Sequence, residues 1–125
     1  MNRKTGVLHI GIASREQMQA RTMAIAKGKL KPGPDDPKVW FASVESLAQV
    51  LSSQNQLLLA LIRSKRPASI AELAELSGRA QSNLNRTLRT MERYGLVILT
   101  KADHRVTPEV PYDRFSVDFT LAVAA

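Results

Sequence analysis

The stretch SIAELAELSGRAQSNLNRTLRTMERYG, residues 69–95, leaves few folds open. Ser69 with Glu72 three residues on makes a capping box that opens a short helix, with Leu73 and Leu76 directed inward and Gly78 ending it. The link SGRA then joins it to a longer helix that stops at Gly95. At about 100° per residue, Ala80, Leu84, Leu88 and Met91 of the second helix share one narrow arc. Ser82, Arg86, Arg89 and Arg93 share the opposite arc, with Arg79 near its edge. No acidic residue interrupts that arc, since Glu92 lies to the side. A helix that needed only solubility would mix signs, because opposite charges four residues apart help by about 0.2–0.5 kcal/mol and like charges cost as much. That repulsion is small, so a merely solvated basic face is tolerable and the neighbouring elements must decide.

Those neighbours form an ordered set. GVLHIGIA reads as a strand, and Ser14 with Gln17 caps a helix through about Lys27, with Met18, Thr22 and Ile25 as its inner stripe. GKLKPGPDDPK is an exposed loop, and KVWFAS a second strand holding the single tryptophan. Ser43 caps VESLAQVLSS, a break falls near Ser53, and QNQLLLALIRSK follows until Pro67 stops it. Leu47, Val50 and Leu51, then Leu57, Leu58, Leu61 and Ile62, are the expected central core. After Gly95, LVILTK and RVTPEV flank the short turn ADH as a hairpin. RFSVDFTLAV closes the chain as a strand alternating Phe115, Val117, Phe119 and Leu121.

Two short amphipathic helices joined by a glycine-containing turn make a helix-turn-helix, and a following hairpin makes it winged. The expected fold class is therefore α+β: a winged helix-turn-helix with an extra N-terminal strand–helix–strand element and a C-terminal strand. The expected divisions are residues 1–42 for the extension, 43–110 for the winged unit and 111–125 for the last strand. In such a unit the second helix enters the major groove of DNA and the first crosses the backbone. The helix over 79–94 offers Arg79, Gln81, Ser82, Asn83 and Arg86 to base edges. Arginine forks onto guanine, and asparagine or glutamine onto adenine. Arg89 and Arg93 are placed to meet phosphates, and Lys101, His104 and Arg105 of the wing to meet the backbone or minor groove.

The balance of the chain agrees. Net charge is +7, although the excess is spread and residues 1–40 carry eight of the cations against three acids. A polyanion is the partner such a charge suggests, nucleic acid before membrane surface. No apolar run approaches the roughly 18 residues that span a bilayer, and MNRKTGVLHIGIAS is too short in its apolar part for a signal peptide. Cysteine is absent, which removes disulfides and thiolate chemistry and fits a cytoplasmic location. The two histidines are remote from each other and have no companions at ligand spacing, so neither a metal site nor a cofactor is expected. An enzyme is disfavoured too, because GKLKPG lacks the context of a phosphate loop and Asp35–Asp36 lie in a proline loop.

From Ser43 to about Val110 the chain resembles winged-helix transcriptional regulators of the MarR/ArsR kind. The resemblance rests on LLLALIRSKRPASIAELAELSGRAQSNLNRTLRTMERYGLVIL, which runs from an apolar helix through S-I-A-E-L-A to the reading helix and MERYGLVIL. The flanks VWFASVESLAQVLSSQNQLLLALI and DRFSVDF are similar to small bacterial and archaeal regulators that include antitoxins of the TumA type. That resemblance implies a repressor of its own operon that also binds a toxin. The cysteine or histidine metal sites of ArsR proteins have no counterpart here. The expected partners are double-stranded DNA and a second copy of the chain, with the terminal strands contributing to the dimer, and no membrane. The competing reading is an antitoxin or adaptor whose main task is to bind a partner protein.

Overall fold

In the computed structural model, which describes residues 6–121, the elements run β1 (Val7–Ile12), α1 (Arg15–Ala26), β2 (Val39–Phe41), α2 (Val44–Val50), α3 (Ser53–Lys65), α4 (Ile70–Ser77), α5 (Gln81–Arg93), β3 (Ile98–Ala102), β4 (Arg105–Glu109) and β5 (Arg114–Phe119). This is the α+β winged helix-turn-helix with the added strand–helix–strand and last strand. The chain forms two compact units, residues 50–113 with Gly6, and residues 7–49 with 114–121. All but the last residue of α2 thus groups with the sheet.

In the helical unit each boundary has a local cause. Ser52 caps α3 by accepting from the Asn55 N–H at 3.2 Å, and α3 ends at Arg66 (φ 48) before the buried Pro67. Ser69 Oγ accepts from the Glu72 N–H, but the Glu72 carboxylate accepts from Ala68 N rather than from the cap residue, so the capping box closes one residue early. Gly78 (φ 74) ends α4 in the left-handed region that glycine enters without steric cost. At the end of α5, Leu96 N donates to Met91 O and Gly95 N to Glu92 O, both at 2.9 Å, with Gly95 at φ 76. That pair of bonds is a Schellman motif, and it turns the chain sharply into β3.

The core of this unit comprises Leu58, Leu59, Ile62, Ile70, Leu73, Leu84, Leu88, Met91, Leu96 and Val97. Several expected core residues lie elsewhere. Leu57 is 72% exposed and Leu76 44%, while Leu47, Val50, Leu51 and Leu61 are only half-buried. Leu59 is buried in place of Leu57. Three consecutive leucines leave the helical phase undetermined, and packing against α4 and β4 chooses it.

In the sheet unit β1 lies between two parallel neighbours in the order β2-β1-β5. Ser14 and Gln17 form the full capping box of α1. The expected inner stripe of Met18, Thr22 and Ile25 is not a core face, since α1 has no buried residue. Met18 is half-buried with Gln17, Arg21 and Ala24, whereas Thr22 and Ile25 are exposed. The anchor of α1 is electrostatic: the Arg21 guanidinium lies 5.1 Å from the Trp40 ring centre and 3.4 Å from the Asp36 carboxylate. The Gly33 N–H, at 2.9 Å, and then Arg21 hold the Asp36 carboxyl below its ordinary pKa. That contribution is present above the unfolded pKa and is lost as pH falls through the lowered one.

Gly11 lies beneath Trp40. A Cβ built there would fall closer than 3.0 Å to ring carbons of Trp40. Gly11→Val is therefore expected to cost about 1–3 kcal/mol. It should also red-shift the fluorescence of this single tryptophan as its ring is pushed toward water. Urea melts followed by that emission are the check.

Candidate nucleic-acid interface

The turn between α4 and α5 is Gly78–Ala80, so the second helix is Gln81–Arg93 and the expected span of 79–94 is too long at both ends. Ala80 is the N-cap, exposed and without a side-chain cap bond, and it does not join the buried stripe assigned to it. The other three members of that stripe, Leu84, Leu88 and Met91, are 0% exposed. Ser82, Arg86, Arg89 and Arg93 are exposed on the opposite side, and Gln81 and Asn83 are exposed in the first turn. These side chains are thus presented together by one rigidly packed helix. The uncapped first turn carries the positive end of the helix dipole, which favours an anion there.

Arg79 is placed differently. It sits in the turn, half-buried, with Nε and one terminal nitrogen donating to Asn83 Oδ1 at 3.2 and 3.0 Å. Its other terminal nitrogen donates to Asn55 Oδ1 at 3.3 Å. Asn55 in turn donates to Val50 O at 2.9 Å, so one arginine ties the start of α3 to the first turn of α5. This arrangement orients Asn83 by engaging its oxygen, and it makes Arg79 a positioning residue for the helix as well as a cation beside it. Asn55 was not foreseen, because its contact lies 24 residues away along the chain and no local pattern announces it. Further along, Arg93 donates to Thr90 Oγ1 at 3.3 Å and Thr90 Oγ1 to Arg86 O at 3.2 Å, which lays Arg93 along the helix.

The wing is a two-residue hairpin. Ala102 pairs with Arg105, and the turn residues Asp103 and His104 have φ 53 and 64. Positive φ at both central positions marks a turn of type I′, which prefers Asn-Gly. Lys101, His104 and Arg105 are all exposed. Lys101 faces Val106 and Arg105 faces Ala102, so the two cations leave opposite faces of the ribbon and only one of them meets a surface laid against either face. Replacing Asp103 by Asn and His104 by Gly is expected to stabilise the unit by about 1 kcal/mol, since left-handed backbone costs most residues that much. A thermal melt of the double variant checks it.

An open groove of about 520 Å³ lies beside the turn, lined by Gln54, Leu57, Leu58, Leu61, Leu76, Ser77 and Arg79. The leucines expected inside line its walls. Among the described residues, no helix is long and apolar enough to cross a membrane.

The HVO_A0114 family model matches residues 50–117, more than half of the chain. The chain is also similar to the crystal structure of a predicted DNA-binding transcriptional regulator from E. coli, at 18% identity and a TM-score of 0.45, over 78% of this chain and 83% of that one. No curated protein matches the sequence.

Proposed function

We propose that this chain, which belongs to the HVO_A0114 family, is a sequence-specific double-stranded DNA-binding transcriptional regulator. One observation carries the reading: the second helix of a helix-turn-helix buries an unbroken apolar stripe and turns an unbroken cationic and amide stripe outward. Gln81, Ser82, Asn83 and Arg86 read base edges in the major groove, with Arg79 holding Asn83 in place. Arg89 and Arg93 neutralise phosphates, and Lys101, His104 and Arg105 meet the backbone or the minor groove. The protein acts in the cytoplasm as a repressor, excluding other proteins from the groove it fills. It binds as a two-fold homodimer on half-sites roughly 34–36 Å apart.

Selection of bound fragments from a pool of random duplexes tests this. The expected product is an inverted repeat with that half-site spacing, and recovery of fragments with no common sequence refutes the proposal.

The second reading, an antitoxin or adaptor that binds a toxin or other partner protein, draws support from the exposed Leu57 and Leu76 beside the turn. Salt separates the two, because an apolar protein interface is nearly indifferent to ionic strength and a phosphate interface is not.

A further inference from the structure

We propose that Asn83 reads guanine in preference to adenine, and that Asn55 of α3, outside the helix-turn-helix, fixes that choice through Arg79. The inference rests on the groove reading proposed above and assigns one of its side chains a base.

An asparagine amide with no other partner is ambivalent. Its oxygen accepts and its nitrogen donates, so it forks onto adenine by accepting from N6 and donating to N7. In this chain the amide of Asn83 is already engaged. Its Oδ1 accepts from Arg79 Nε at 3.2 Å and from a terminal nitrogen at 3.0 Å, which occupies both lone pairs of that oxygen. A guanidinium carries donors only, so the oxygen of the amide and not its nitrogen must face Arg79. Asn83 is exposed in the first turn of α5, and what it has left for a base is Nδ2 with its two N–H groups.

The polarity is set further back. The other terminal nitrogen of Arg79 donates to Asn55 Oδ1 at 3.3 Å, and Asn55 Nδ2 donates to Val50 O at 2.9 Å. A backbone carbonyl accepts only, so Asn55 must turn its nitrogen to Val50 and its oxygen to Arg79. Flipping Asn55 breaks a bond at each of its ends, and flipping Asn83 sets N–H against N–H. Asn55 and Arg79 are both half-buried, and Arg79 N donates to Ser77 Oγ at 3.2 Å. The chain from Val50 through Asn55 and Arg79 to Asn83 therefore runs one way and ends in donors.

Donors select among the bases. Guanine offers two neighbouring acceptors in the major groove, O6 and N7, whereas adenine sets its N6 amino donor beside N7. An amide that brings only N–H groups is satisfied by guanine and meets a donor on adenine. Cytosine presents its N4 donor, and thymine a single acceptor beside its methyl group. Arg79 reinforces the bias, because three of the five N–H groups of its guanidinium are engaged and the other two are donors as well.

Competition titrations of the full chain on the operator obtained by the selection above test this. Asn83→Ala should abolish base preference at one position, which identifies the base that Asn83 reads. The parent is expected to prefer guanine to adenine there by roughly five- to 150-fold. Arg79→Met frees the amide to turn, so the guanine-to-adenine ratio at that position should fall about fivefold or more, whatever overall affinity is lost with the cation. Asn55→Leu leaves α5 untouched and should lower the same ratio about twofold or more. Circular dichroism checks that each variant is folded, and a general loss of stability would weaken all operators alike without moving the ratio. A parent that prefers adenine at that position, an Asn83→Ala variant that alters no position, or a ratio unmoved by both Arg79→Met and Asn55→Leu overturns the proposal. Each of those outcomes is read on a selected operator and leaves groove reading by the other side chains of α5 standing. Recovery of fragments with no common sequence refutes the groove reading itself, and this proposal with it.

Discussion

Leu88→Ala is expected to lower the stability of the helical unit by about 2–5 kcal/mol, the range for deleting a fully buried leucine side chain whose site only partly collapses. Leu88 is 0% exposed at the middle of the α5 stripe, between Leu84 and Met91, so no neighbour on its own helix can swing in to fill the gap. The midpoint of a thermal melt followed by circular dichroism should fall by about 10 °C or more. Leu57→Ala supplies the contrast. With 72% of Leu57 exposed, its loss should stay within about 0.5 kcal/mol of the parent. Equal effects from the two variants would show that α3 and α5 pack in another phase.

Arg86→Ala is expected to weaken binding to the selected operator by about 1–3 kcal/mol, roughly five- to 150-fold, and to relax preference at one base position. Arg86 is exposed one turn beyond Ser82, in the half of the second helix that a helix-turn-helix lays in the groove. Arg93→Ala should also weaken binding, but by a similar factor for every sequence, because Arg93, at the C-terminal end of α5 with its guanidinium laid back on Thr90, is proposed to meet phosphate rather than a base. Competition titrations with single-base operator variants distinguish these patterns. If both variants bound operator and mutated operator as the parent does, α5 would not be the reading element.

Much of this arrangement is legible in the sequence where a single local rule decides. Ser14, Ser43, Ser69, Gly78 and Gly95 punctuate helices because caps depend on a few adjacent residues, and α5 shows its two arcs because its leucines stand at unambiguous spacing. Legibility fails where tertiary contact chooses between equivalent local answers. Leu57, Leu58 and Leu59 give no single phase, and the packing buries the last two. On α1 only Met18 of the expected stripe is half-buried, and Thr22 and Ile25 are exposed, because an arginine–tryptophan stack over Gly11 anchors the helix rather than an apolar stripe. Arg79 resembles its neighbouring arginines in the sequence, and only its bonds to Asn55 and Asn83 separate a positioning role from a reading one. The alternation of β5 predicts a strand but not that Val117 and Phe119 stay open to solvent.

The central claim, that the cationic stripe of α5 meets the phosphates and bases of a duplex, is tested most directly by operator affinity as a function of salt, for the parent and for Arg93→Ala. The parent should give a steep straight line of log K against log salt, with a slope of about 0.9 for each phosphate neutralised, and the variant a line shallower by about one. A parent line that is nearly flat, or a variant line parallel to it, would contradict the account.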